Sequence, residues 1–422
     1  MNMYNCRIPG ILLLITFSVT SRVKAQPEVL SLENDLSRKH YSFGLSADGY
    51  GSSNALNNDF VNACINKSFI NPAAKNDAFV KLSDLNRFGG DFDGSIFFGH
   101  FGDSLFGKPN SGYFFAFKDR NHLDVSFSRD LFGLAFYGNK KYAGQKADIG
   151  NASVNILQYQ QIQFGWMRKI NKVTLGIGIS AIKGQNNISI SIPQASLYTE
   201  ESGEYIDLAL QGSIHQTDSL HKNLAAMNGW GTSSDIFFSY TPDSGKTLKI
   251  EISDLGYIWW NKHSSFASID TSYHFEGMEV TDIFNPADSG NTSQSMDSIV
   301  RKYLPVEKSG GYQTMLPALF HISFEKNIIE ETLNLSAGFR YRLSASYTPF
   351  IYVTAKYLFS PKFSLSLTGA SGGYGNFTAG LSLSAILGKN FCLSAGSNFL
   401  TGILAPRSFG GEGAFLSMKK SF

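Results

Sequence analysis

The sequence predicts an all-β protein, a transmembrane antiparallel up-and-down β-barrel of about 14 strands with a partly helical N-terminal plug. Three observations predict it. Segments of roughly 9–11 residues or more alternate apolar and polar side chains, the length a tilted strand needs to cross a bilayer. The connections between them are alternately short and long. The last ten residues, GAFLSMKKSF, form an alternating segment that runs out to the aromatic Phe422.

Residues 1–25 read as a secretory signal peptide. One early cation, Arg7, precedes an apolar run from Ile11 to Val19 that is too short to span a bilayer, and Val23-Lys24-Ala25 forms a small-residue cleavage site. Cleavage after Ala25 removes Arg7, Arg22 and Lys24 and leaves 33 basic against 34 acidic residues, a net charge of −1. Such a balance excludes the electrostatic footprint of a nucleic-acid binder and offers no basic membrane-surface patch. Only Cys64 and Cys392 remain, which excludes a disulfide framework and leaves room for one bridge, expected not to form. Charged residues are 17%, below the roughly 25% of an average soluble domain, while aromatics reach 14%, so those aromatics serve something other than a water-exposed surface.

Residues 26–91 precede the expected barrel and are assigned to the plug or to a periplasmic segment. A short strand is expected at 41–48. The stretch SNALNNDFVNACINKSF follows, and it places Leu56, Phe60, Ala63 and Cys64 on one face of a helix. A segment in this position can fold back into the lumen, because a barrel of 14 strands leaves an interior that must be filled or conduct water.

The barrel is expected over 92–422, with strands at 92–101, 111–118, 122–137, 156–169, 173–184, 230–241, 247–260, 313–325, 332–342, 350–358, 363–370, 377–387, 391–397 and 413–422. Residues 332–342 show the pattern. Leu333, Leu335, Ala337, Phe339 and Tyr341 fall on one face, Asn334, Ser336, Gly338, Arg340 and Arg342 on the other. No apolar stretch reaches the ~18 residues of a membrane helix, so the apolar face is read as lipid-facing and the polar face as lumen.

Short turns rich in Gly, Asn, Asp and Pro are expected around 119–121 (KDRN) and at 170–172, 242–246, 326–331, 360–362 and 388–390. The connections between them include the long ones, 138–155, 185–229, 261–312 and 398–412. Short turns on one side and long loops on the other place the turns and both termini in the periplasm of an outer-membrane barrel. Within 185–229, NISISI and EYIDLALQGSI read as a hairpin rising above the membrane; if it were embedded, the count would be 16. Within 261–312, SQSMDSIVRKYL reads as a short helix at the pore mouth, with Met296, Ile299, Val300 and Tyr303 on one stripe.

The final strand must pair with the first, since an edge left open in lipid strands its backbone polar groups. Leu416, Met418 and Phe422, on alternate positions, resemble the C-terminal signal that barrel-assembly machinery recognises. Lys249 and Glu251 on one strand, and Arg340 and Arg342 on another, are the candidate lumen-lining residues. Trp166, Trp230, Trp259 and Trp260 read as aromatic-belt anchors. The eight histidines show no metal-ligand spacing beside a third ligand, DFDG at 91–94 is too short for a calcium loop, and no phosphate-cradling glycine motif opens a helix. No cofactor, metal or catalytic residue is assigned, and a non-enzyme is expected.

The stretches DLFGLAFYGNKKYAGQ (130–145) and EISDLGYIWWN (251–261), with the order of strands and loops around them, resemble an uncharacterised family of outer-membrane barrels of Bacteroidota. The architecture is also similar to the long-chain fatty acid transporter family, which carries an Asn-Pro-Ala motif near its N-terminus; Asn71-Pro72-Ala73 stands here. That resemblance implies a movable N-terminal plug and passage of small hydrophobic molecules. The function expected is therefore a channel or binding conduit for such molecules, with outer-membrane lipid and the assembly machinery as partners. The alternative is a non-transporting structural barrel or one with a secretion-system partner.

Overall fold

The computed structural model of the protein describes residues 40–422 except 67, 106, 218–225, 243–244, 277–307, 331 and 389. The expected signal peptide, residues 26–39 and the helix expected within 293–304 lie outside the described residues. The strands are, in chain order, β1 (His40–Ser53), β2 (Leu85–Leu105), β3 (Lys108–Ser128), β4 (Gln145–Asp148), β5 (Ala152–Ile170), β6 (Val173–Thr199) and β7 (Ile206–Gln216). They continue with β8 (Gly229–Tyr240), β9 (Lys246–Trp260), β10 (Ser265–Phe275), β11 (Lys308–Ser309), β12 (Gln313–Met315) and β13 (Leu319–Ile329). Then follow β14 (Leu333–Arg342), β15 (Thr348–Ser360), β16 (Phe363–Gly373), β17 (Phe377–Leu387), β18 (Phe391–Ser397) and β19 (Gly411–Ser421).

Fourteen of these close a ring in the order β1-β2-β3-β5-β6-β8-β9-β13-β14-β15-β16-β17-β18-β19, with β19 pairing back onto β1. Every pair is antiparallel, so the wall has no open edge. Short turns gather at one end and the long connections at the other. The outward rows are apolar all round: Phe43 on β1, Ile96 and Phe98 on β2, Phe115 on β3, Ile177 and Ile179 on β6, Ile351 and Val353 on β15 and Leu383 on β17 are all exposed. An exposed apolar belt of this extent on a closed barrel is the surface that meets lipid, and the protein is a transmembrane barrel. The inward rows are buried; along β6 burial alternates from Thr174 to Ile182.

Several boundaries differ from those expected. The segment 26–91 is not a unit apart from the barrel. Its expected strand at 41–48 belongs to β1, a full member of the wall, paired with β19 on one side and β2 on the other. Tyr41, Phe43 and Leu45 face out while Ser42, Gly44 and Ser46 face in, and the Phe422 backbone N–H donates to Tyr41 O at 2.9 Å. The helical part is two helices, α1 (Asn58–Ile65) and α2 (Pro72–Lys81), in the β1–β2 connection at the loop end rather than in a segment preceding the barrel. The wall begins at 40, not 92.

KDRN is not a turn but the middle of β3, which runs unbroken for 21 residues. Lys118 and Arg120 point inward while Asp119 and Asn121 point outward, where Gln160 Nε2 donates to Asp119 Oδ1 at 3.0 Å. Four polar residues in a row served both faces, and so imitated a turn; the turn itself lies between Leu105 and Lys108. One strand divided in error and one missed leave the count at 14. The expected strand 122–137 also ends early, because Arg129–Tyr137 is a helix, α3, capped by the Ser128 hydroxyl and closed by Gly138 at φ 79°. The expected strand 313–325 is broken at the buried Leu316-Pro317-Ala318 into β12 and β13.

At the loop end, α1, α2 and α3 pack Phe60, Ala78, Leu82 and Phe132 into an apolar cap joined by Cys64 and Phe136. Asn58 ties the cap to the last connection, its Nδ2 donating to Gly402 O and Gly411 O at 3.0 and 2.9 Å. Below α3, burial and the adjacent Asp130 push the Tyr142 hydroxyl up to about 12. Cys64 and Cys392 are not joined in a disulfide. The hairpin expected within 185–229 forms as read. The upper half of β6 leaves β8 and pairs with β7, and β7 in turn pairs with β10, so this sheet stands above the wall and the ring stays at 14. There a hydrogen bond donated to the Asp207 carboxylate raises the pKa of His274.

Candidate functional site: the barrel lumen

The inward rows of β2, β3, β5, β6, β8 and β9 fill their half of the lumen in three layers. Nearest the turn end, Phe114, Met167 and Phe237 form an apolar cluster with Phe97 against it. Gly165 makes this possible, since a Cβ there would stand 2.0 Å from the Phe114 ring. Towards the loop end, Leu157, Tyr159, Ile182, Ile258, Trp260 and Leu316 form a second apolar cluster, with Tyr312 packed on it.

Between the two lies a layer of paired charge. Lys118 Nζ stands 3.0 Å from Asp235 Oδ2, and Gln163 Nε2 donates to the same oxygen at 2.6 Å. Arg120 bonds Asp93 through Nη1 and approaches Asp254 at 3.5 Å through Nη2. Asp254 reaches inward because β9 bulges there. Its φ is +59°, and its backbone N–H donates to Asp235 Oδ1 at 2.8 Å, so that Ser253 and Asp254 both face the lumen.

One ion pair crosses the barrel. Asp91 on β2 and Arg342 on β14 sit seven strands apart in a ring of fourteen, and the guanidinium grips the carboxylate at 2.6 and 3.1 Å. His122 Nδ1 holds the same carboxylate at 2.7 Å. Above this pair the short β16–β17 connection turns into the mouth. Tyr374 is fully buried there, its hydroxyl donating to Asp124 Oδ2 at 2.9 Å, while Arg87 donates to Gly373 O and Gly375 O at 2.9 and 3.2 Å. Gly372 and Gly373 adopt φ of +104° and +71°, and a Cβ on Gly89 would lie 2.5 Å from the tyrosine ring, so glycine is required on both sides of the inserted side chain. A cavity of about 90 Å³ lies open among the charged residues.

All four expected lumen residues face inward. Arg342 makes the crossing pair, and Arg340 lies with its guanidinium 5.2 Å from the Tyr352 ring centre. Glu251 accepts from Ser253 at 2.7 Å and faces His321 at 3.9 Å. Lys249 pairs with Glu325 at 2.9 Å; unlike the other three, it does not border the cavity. Leu416, Met418 and Phe422 share the outward face of β19 with Lys420, whose ammonium lies 5.0 Å from the Phe422 ring centre. The tryptophans divide. Trp230 and Trp259 stack on the outer face at 4.7 Å, as belt residues do, but Trp260 is buried in the lumen and donates to Thr314 Oγ1 at 2.9 Å, so it is no membrane anchor.

Sequence reasoning missed Asp91, Asp93, His122 and Tyr374. The signals were present. DFDG places two acids on one strand face, Lys118, Arg120 and His122 occupy every second position, and GGYG brackets an aromatic with glycines.

No curated protein matches the chain. Among solved structures it is similar to the TodX deltaS2S3 mutant monoaromatic hydrocarbon channel, at 7% identity and a TM-score of 0.45 over 95% of both chains. It is also similar to a FadL homologue of Pseudomonas aeruginosa, at 9% and 0.42 over 91% of this chain and 90% of that one. The translocator domain of the autotransporter NalP from Neisseria meningitidis matches at 6% and 0.36 over 93% and 92%. Likeness at this level is too distant to carry an inference about this chain. The family described as a family of unknown function (DUF5723) matches residues 37–395, and the chain belongs to it.

Proposed function

We propose that the protein is an outer-membrane conduit for small hydrophobic molecules, a non-enzyme held closed in this state. The observation that supports it is the pair of apolar clusters on the inner face, one on each side of the charged layer. A barrel that only had to be filled could use its polar network throughout, whereas inward apolar surface is what a hydrophobic molecule needs along its way. Closure rests on side chains and the three-residue β16–β17 connection, which can move without breaking the wall. On this reading the turn end is periplasmic with both termini, the long loops face outward, and Leu416, Met418 and Phe422 serve the assembly machinery.

The second reading is a structural or secretion-associated barrel that does not transport. The crossing Asp91–Arg342 pair favours it, because it braces opposite walls.

Uptake separates the two. Cells carrying Tyr374→Ala should take up an uncharged fluorescent naphthylamine several-fold faster than cells carrying the wild type, with the variant shown to be folded by its heat-modifiable gel migration. Uptake equal to that of a deletion strain would favour the structural reading.

A further inference from the structure

Five carboxylates border the lumen cavity, and four of them have partners. Asp91 is held by Arg342, Asp93 and Asp254 by Arg120, and Glu251 by Ser253 and His321. Asp48 has none. It is 3% exposed, it takes part in no ion pair or hydrogen bond among the described residues, and its Oδ1 is buried and unsatisfied. Its surroundings make this worse. In the β1–β2 register Asp48 stands directly opposite Asp93, itself buried, so two carboxyl side chains share one cross-strand position, where opposed Cβ atoms stand about 5 Å apart. Arg120 is shared by Asp93 and Asp254, Lys118 pairs with Asp235 and Arg342 with Asp91, so none of these cations is left for Asp48. A buried charge without a partner is costly, and unless Asp48 is protonated something of opposite sign meets it.

The neighbouring atoms indicate what that is. One step along the same two strands, Ser46 and Ser95 stand opposite each other with their hydroxyls 2.7 Å apart, and both border the cavity. The donor set is therefore all oxygen, two carboxylates and two hydroxyls, which suits a hard cation rather than a thiophilic one. Asp48 is the one carboxylate bordering this cavity that lacks a partner, which matches a monovalent ion, and no group of three or more His, Cys, Asp or Glu that could hold a metal ion occurs among the described residues. We propose that Asp48, with Asp93, Ser46 and Ser95, forms a site for one monovalent inorganic cation inside the barrel. The site stands whether or not the barrel conducts.

The test uses the full-length protein folded in detergent. Its unfolding temperature is measured in sodium or potassium chloride against N-methylglucamine chloride at equal ionic strength. In the wild type the midpoint should rise by about 2 °C for each tenfold increase in sodium or potassium above the dissociation constant, and not with N-methylglucamine. The wild type should also broaden the sodium-23 resonance, an effect reversed by potassium. In Asp48→Asn both responses should disappear. If that variant does not fold, the wild-type comparison of cations still decides. Equal midpoints in all three salts, or an infrared band of a protonated carboxylic acid that Asp48→Asn removes, would overturn the proposal, since Asp48 would then be neutral by protonation.

Discussion

Deletion of residues 40–53 should abolish the barrel. β1 pairs along its length with β2 and along most of it with β19, so its removal leaves two facing edges with backbone groups unpaired at membrane depth. Each unsatisfied group in hydrocarbon costs several kcal/mol, and water is not there to replace the lost partner. Thirteen strands could close only by bringing β2 and β19 together out of their present registers, moving every inward side chain of the charged layer against its partner. The expected result is complete loss of the heat-modifiable, protease-resistant form. Had residues 26–91 been a plug threaded through a finished barrel, the same deletion would leave that form intact.

Arg342→Ala should destabilise the folded barrel by about 3–5 kcal/mol, the cost of leaving a buried carboxylate without its charge partner. Asp91 is 5% exposed and would keep His122, 2.7 Å away, but no guanidinium. The double substitution Asp91→Leu with Arg342→Leu should recover most of the loss, because two well-packed apolar groups cost less than one stranded charge. Urea unfolding in detergent micelles measures both. A loss below about 1 kcal/mol for Arg342→Ala would mean that water reaches Asp91 and that the pair does not bridge the lumen.

How much of this was legible in the sequence follows from what each signal depends on. Period-two alternation is a local property, so β14, with Leu335 and Tyr341 exposed and Arg342 buried, could be read directly. The closing role of β19 was legible for the same reason, since a barrel in lipid must not leave an edge. β1 was hidden because its inward face is Ser42, Gly44 and Ser46, too small to look like half of a wall strand, and because the helices after it drew the boundary to themselves. β3 was hidden because Asp119 and Asn121 put polar groups on the outward face just where Lys118 and Arg120 put them inside. The lumen network depends on which strands lie opposite one another. Asp91 and Arg342 are 251 residues apart, and only the ring order makes them neighbours.

Conductance across a planar bilayer tests most directly the claim that the lumen is a closed passage. The full-length wild type should stay closed or open only in brief events, because the Asp91–Arg342 pair and the buried Tyr374 occupy the way through. The double variant Tyr374→Ala, Arg342→Ala removes both obstacles without touching a wall strand pairing, and it should conduct ions steadily. A folded double variant that remains silent would contradict a passage and show a barrel packed solid, and a wild type that conducts steadily would contradict the closure.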